Sequence, residues 1–137
     1  METIPGVSSF AAAAAATGTT LAEEDETLAV IPAAYGIEVI DHLIDEFDTL
    51  VLLKVKPMID ETVELLERRG LVATSCFIEK VGAPGERIVR DVVSLKGEKV
   101  NYLSLMIVQN PERARGELRR GCRKRVERKQ TAESEAT

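Results

Sequence analysis

The sequence predicts an α/β domain whose sheet carries helices on both faces, and three observations carry that prediction. Apolar runs at Leu28–Pro32, Leu50–Val55, Leu71–Ile78 and Tyr102–Val108 read as strands. Helical patterns opened by Gly36 and Pro57 lie between them, which is the alternation of a layered α/β domain. The run Leu50-Val51-Leu52-Leu53 has no polar alternation, as suits a strand covered on both sides. A chain of 137 residues, 45% hydrophobic and 30% charged, is long enough for one domain with a real core.

Pro5-Gly6 is a turn dipeptide, and Ser8 and Ser9 stand where helix N-caps are favoured. Ala11 to Ala16 has the highest helix propensity, and Thr17-Gly18 ends the helix. Free N–H groups and small hydroxyls at such a start suit anions and carboxylates. Leu21 to Glu26 is an acidic surface connection leading into the Leu28–Pro32 strand, which proline stops. From Gly36, residues Ile37, Ile40, Ile44 and Phe47 recur at helical spacing; Asp48-Thr49 is a turn. The Leu50–Val55 strand ends at a lysine, Lys54. Pro57 starts an amphipathic helix with Ile59, Val63, Leu65 and Leu66 apolar, closed by Arg68-Arg69-Gly70. After the Leu71–Ile78 strand comes a loop of turn formers, Glu79 to Gly85. Arg87–Arg90 is a short strand, Val92–Gly97 about one helical turn, and Tyr102–Val108 the last strand. Domain 1–109 then gives way to 110–137, read as a solvated helix fraying into a disordered tail.

Net charge is −5, unevenly spread: from Pro111 onward nine Lys/Arg face five Asp/Glu, leaving nine against eighteen before it. That acidic body is a poor platform for nucleic acid, and without tryptophan there is little to stack bases on. Cys76 and Cys122 lie in unrelated contexts, so no disulfide framework, redox pair or metal site is expected. His42, the single histidine, reads as solvated on a charged helix. Glu2 and a short alanine run do not make a secretion signal, and no segment reaches the ~18–20 apolar residues of a membrane helix. The expected location is the cytoplasm.

Three segments could meet at a ligand cleft: Pro5-Gly6-Val7-Ser8-Ser9, the strand end Leu53-Lys54-Val55, and Glu79 to Gly85. Each alone is an ordinary structural element. In this order they resemble something definite. The run IPGVSSFAAAAAATGTTLAEEDETLAVIPAAYG, with TLVLLKV, CFIEKVGAPGERIVRD and NYLSLMIV, resembles the second half of the tetrapyrrole (corrin/porphyrin) methylases. Within that family the serine pair, PAAYG and the Lys-ended strand look most like the precorrin-2 C(20)-methyltransferases and their counterparts acting on cobalt-factor II.

The resemblance implies a mixed sheet with helices on both faces, the C-terminal domain of that fold. It implies methyl transfer from S-adenosyl-L-methionine to ring carbon C-20 of a modified tetrapyrrole in cobalamin synthesis. By the same resemblance Ser8, Ser9, Lys54 and Val81 are the cofactor contacts. Val81 replaces a glycine of some relatives, so its contact is expected through the backbone. Leu53 stands where relatives often carry methionine. Such chemistry needs positioning and no acid–base pair, so no catalytic residue and no metal ligand is nominated. The family's N-terminal half carries a glycine-rich loop and an acidic cofactor loop, whereas here Met1-Glu2-Thr3 leaves only the end of a lead-in strand. A truncated, split or excised polypeptide is therefore expected, with half a cleft and little activity alone. Two other readings stay open: another tetrapyrrole methylase, such as one acting on uroporphyrinogen III, and a non-catalytic half-domain. The latter would form a homodimer or pair with a separate N-terminal half.

Overall fold

The computed structural model describes residues 1–114; the rest of the expected 110–137 helix and tail, with Cys122, lies outside the described residues. Helices α1 (Ser9–Thr17), α2 (Ile37–Glu46) and α3 (Ile59–Arg69) accompany five strands: β1 (Leu28–Pro32), β2 (Thr49–Leu53), β3 (Ser75–Glu79), β4 (Arg87–Val89) and β5 (Ser104–Gln109). The strands form one sheet in the order β1-β2-β5-β3-β4. β1 and β2 run parallel, and every other pairing is antiparallel, so the sheet is mixed as expected.

Side chains alternate across a pleated strand, and the two faces separate accordingly. Leu50 and Leu52 of β2, Phe77 of β3, and Met106 and Val108 of β5 face α2 and α3, packing with Ile40, Ile44, Val63 and Leu66. Val51, Ile78, Leu105 and Ile107 face the other way and meet Ala13 of α1, with Phe10 and Ala14 beside it. The unalternating run of β2 is explained: each of its two faces is covered. On β1, an edge strand, Val30 stays 37% exposed, because α1 does not reach that far.

Several boundaries differ from expectation. The strand expected over Leu71–Ile78 begins only at Ser75. Gly70 takes φ 69° and closes α3, so the Leu71 N–H returns to the Leu66 carbonyl at 2.8 Å. Leu71 is thereby held out of extended conformation, and a 3₁₀ turn over Val72–Thr74 follows. β2 stops at Leu53, since Lys54 adopts a left-handed φ of 54°. Pro57 sits in a 3₁₀ turn, Lys56–Met58, that delivers the chain to α3. Tyr102 and Leu103 precede β5 and are 58% and 67% exposed. At the N-terminus Pro5-Gly6 makes no hydrogen-bonded turn and Gly6 needs no positive φ; residues 1–8 run exposed. Gly18, at φ 67°, does end α1, returning the Thr19 N–H to the Ala14 carbonyl at 3.0 Å. Arg90 donates to the Thr17 carbonyl at 2.8 Å, a cation where the helix C-terminus is negative.

Asp48, expected in a turn, is a buried clamp at 3% exposure. Its Oδ2 accepts from the Thr27 N–H (2.8 Å), the Thr27 hydroxyl (3.1 Å) and Arg113 Nη2 (3.0 Å). Its carbonyl accepts from the Asn110 N–H at 2.9 Å, and Asn110 Nδ2 donates to the Ile44 carbonyl at 3.0 Å. The entries to β1 and β2 and the exit of β5 are thus tied at one carboxylate. Burial pushes that carboxyl up, but hydrogen bonds from Arg113 and Thr27 outweigh it and hold it below its ordinary 3.8. A depressed folded pKa stabilises fully above the unfolded value and fades as pH falls through the folded one. Asp48→Asn is therefore expected to cost about 3 kcal/mol at pH 7, because it strands Arg113. The gap between the parent chain and this variant, read by urea unfolding, should hold down to about pH 5 and shrink below about pH 4. A gap that is small at pH 7, or unchanged at pH 3, would contradict the clamp.

Candidate functional site

Strand register builds the floor of a groove. Leu53 of β2 pairs with Leu105 of β5, and Leu105 pairs with Ile78 of β3, so three aliphatic side chains stand in one row. All three belong to the face covered by α1. Because β5 is antiparallel to both neighbours, β2 and β3 are parallel to each other, and the row lies at their carboxyl ends. That edge is where ligands gather in open α/β sheets.

The chain leaves the sheet on either side of this row in the same unusual way. Lys54 after β2 and Lys80 after β3 both take left-handed backbone, at φ 54° and 53°. A non-glycine residue pays for that conformation, and such outliers gather at functional sites. With Ser9, Val81, Ala83, Tyr102, Leu103 and Ser104 these residues enclose a groove of about 350 Å³. Its lining carries two lysines and no acid, and among the described residues neither ammonium has an ion-pair partner. Ser104, 8% exposed, buries its Oγ without a hydrogen-bond partner. A second hollow of about 360 Å³ lies at the start of α3, but there Lys56 and Lys99 are mixed with Asp60, Glu61 and Glu98, so its charge is compensated from within.

Glu79 holds the groove's far wall. Its Oε1 accepts from Arg87 Nε at 2.8 Å and its Oε2 from the Asn101 N–H at 2.7 Å. The Lys80 N–H donates to the Leu103 carbonyl at 2.8 Å. The 80–86 loop closes on itself through Ala83 N–H to the Lys80 carbonyl (3.0 Å) and Gly82 N–H to Glu86 (2.9 Å). The glutamate that leads this loop therefore fixes the loop and the approach to β5 together.

Of the four residues nominated from sequence, Ser9, Lys54 and Val81 line this one groove. Ser8 does not line it; it is the exposed N-cap of α1, at φ −67° and ψ 151°, and its side chain makes no capping bond. Its carbonyl accepts the first helical bond, from Ala12 N–H at 3.0 Å, so the N–H groups of Ser9, Phe10 and Ala11 precede the ladder. Sequence reasoning gave no role to Lys80, Ser104, Tyr102 or Leu103. Lys80 was hidden in a loop of turn formers, and the other three inside an apolar run that reads as strand throughout.

Residues 1–96 match the profile of the tetrapyrrole (corrin/porphyrin) methylases. A cobalt-precorrin-2 C(20)-methyltransferase of Salmonella typhimurium is 32% identical over 109 residues, 79% of this chain and 46% of that protein. A probable cobalt-precorrin-2 C(20)-methyltransferase of Methanocaldococcus jannaschii is 32% identical over 120 residues, covering 82% and 48%. The chain thus spans about half the length of these relatives. Among solved structures, a uroporphyrin-III C-methyltransferase of Thermus thermophilus aligns at a TM-score of 0.55 and 28% identity, covering 79% of this chain and 50% of that one. A uroporphyrin-III C-methyltransferase structure of Thermus thermophilus complexed with S-adenosyl homocysteine gives 0.54 at 23%, covering 79% and 52%, and the methyltransferase CobJ gives 0.59 at 18%, covering 82% and 52%. The match over residues 1–96 carries the three helices, the first four strands and the loop that walls the groove, and by it the chain belongs to the tetrapyrrole (corrin/porphyrin) methylases.

Proposed function

We propose that this chain supplies one wall of an S-adenosyl-L-methionine-dependent methyltransferase acting on C-20 of precorrin-2 or cobalt-factor II in cobalamin synthesis. The observation that carries the reading is the meeting of Ser9, Lys54 and Val81 in one groove of a methylase-family chain. The names of the Salmonella and Methanocaldococcus relatives favour position C-20, and the homocysteine form of the cofactor in the Thermus neighbour favours the ligand.

The groove's residues fit such a cofactor. The row Leu53–Leu105–Ile78 offers a flat apolar bed for a purine, and the Ser9 hydroxyl offers a polar contact beside it. When bound, the cofactor supplies an activated sulfonium methyl. This chain then has to bind, orient and keep dry. Ser9 meets the ligand at the start of α1, which Ser8 begins from outside the groove and whose leading N–H groups are free for an anionic or carbonyl oxygen. Val81 contacts it by backbone, and Lys54 from the strained strand end. The aliphatic row excludes water, and holding the reactants in line can remove several kcal/mol of barrier without an acid or base.

The other wall is assigned to an N-terminal half, in the same polypeptide or a separate one, and the assembly to the cytoplasm as a homodimer. Tyr102 and Leu103 favour a docking role at this edge, since both line the groove and remain largely exposed. The same exposure serves the second reading, a non-catalytic half that only pairs.

Calorimetric titration with S-adenosyl homocysteine, with the chain alone and with the N-terminal half of a relative added, tests the assignment. Weak binding alone that tightens on complementation is expected; no heat in either case overturns it. Val81→Trp should fill the groove and weaken binding at least about tenfold, the cost of about 1.4 kcal/mol, with the urea midpoint unchanged. Glu79→Ala should lower stability by about 1–3 kcal/mol and loosen the loop, weakening the ligand with it. Unchanged affinity in both variants would place the ligand elsewhere.

A further inference from the structure

We infer that Arg90 is a positioning residue: from the edge of the sheet opposite the groove it sets the tilt of α1 and, through α1, the place of Ser9. The inference rests on the methyltransferase reading for what Ser9 meets, and on the structure for how α1 is held.

Packing holds α1 only loosely. Its first turn carries no charged side chain, and Ser8 makes no capping bond. Among the alanines only Ala13 is fully buried, beside Val51, Ile78, Leu105 and Ile107, while Phe10 and Ala14 pack half-buried at the rim. Methyl groups bury little area, so packing fixes the tilt of such a helix weakly.

The polar bonds gather at the other end. Thr17 is 6% exposed; its hydroxyl donates to the Ala13 carbonyl at 2.8 Å and stands 2.9 Å from the Thr19 hydroxyl. The Thr17 carbonyl accepts from Arg90 Nη2 at 2.8 Å, and the Thr20 carbonyl from Gln109 Nε2 at 2.7 Å. Arg90 follows β4, and Gln109 ends β5. Both strands run antiparallel to β3, so their exits lie at the edge opposite the groove. α1 is therefore gripped at one edge of the sheet and presents Ser9 at the other.

Of the two gripping side chains, Arg90 brings the charge. A guanidinium on a last-turn carbonyl combines a charge-assisted hydrogen bond with the negative end of the helix dipole. From Thr17 to Ser9 the axis rises about 12 Å. A tilt of about 10° about the anchor displaces Ser9 by about 2 Å, enough to break a hydrogen bond of ordinary length. Small errors at Arg90 are thus magnified at the groove.

The test uses the intact chain and two readouts. Residual dipolar couplings of the α1 amides, taken without ligand, report the orientation of the helix against the sheet. Calorimetry with S-adenosyl homocysteine, with a relative's N-terminal half present, reports affinity. In Arg90→Met the α1 couplings should leave the parent's frame, turned by about 10° or scaled down, while those of α2 and α3 keep it. Affinity should fall about fivefold, and Arg90→Lys should restore most of both readouts. Ser9→Ala should cost less affinity in the Arg90→Met chain than in the parent, because both changes act on one contact. Arg68→Met, the same change at an exposed site in the last turn of α3, serves as control and should move neither readout. Unchanged α1 couplings overturn the anchor. Altered α1 couplings with unchanged affinity, or losses from Ser9 and Arg90 that simply add, overturn the positioning role. Altered α1 couplings in a chain whose parent ignores S-adenosyl homocysteine keep the anchor and remove the methyltransferase reading.

Discussion

The structure depends on where β5 lies. The last described strand enters antiparallel between β2 and β3, and Leu105 to Val108 are buried on both faces. β2 and β3 do not pair with each other; β1 and β4 pair their outer edges, and β5 joins their inner ones. The pairing joins Thr49 to Gln109, 60 positions along the chain, so chain-closure entropy has to be met before these hydrogen bonds form. The Asp48 clamp sits at the far end of the same strand, where Arg113 and Asn110 hold its exit. Floor and clamp are opposite ends of one inserted strand.

The two faces of the sheet are unequal, and that inequality makes room for the groove. α2 and α3 present isoleucine, valine and leucine, and Arg69 of α3 bridges to Asp41 and Asp45 of α2 across their outer surface. α1 presents mostly alanine. Small side chains give a helix that buries little and stops short, so the row Leu53–Leu105–Ile78 is covered at one end and open at the other. High propensity for helix and low covering power come from the same methyl groups. An N-terminal turn of larger residues would close the opening.

Much of this was legible in the sequence because it follows from periodicity. The apolar run of β2 announced two covered faces, the 3.6-residue spacing of Ile37, Ile40 and Ile44 announced α2, and Gly18 and Gly70 announced helix ends. What escaped has a common physical cause: it depends on conformation that composition does not encode. Nothing about Lys54 or Lys80 requires a left-handed φ, and lysine gives no warning of it. Leu71 looked like strand because its extended reading was defeated only by the closure of the helix before it. Asp48 looked like a turn residue, since its partners Thr27 and Arg113 are 21 and 65 residues away. The segments holding Ser9, Lys54 and Val81 were visible as a helix start, a strand end and a loop, but their joining into one cofactor site was reachable only through family resemblance, for no local pattern links three residues so far apart.

The left-handed lysines tie these points together. A strand that ends in αL turns sharply out of the sheet, and when β2 and β3 do so on either side of β5 the strand ends diverge around the space above it. Glycine would adopt the same φ without cost. Keeping lysine at both places retains a strained backbone and sets a positive charge at each corner of an apolar bed. Folding alone does not favour the choice, since the left-handed backbone is strained at both lysines. Residues that oppose stability at two symmetric corners are best explained by what occupies the space between them.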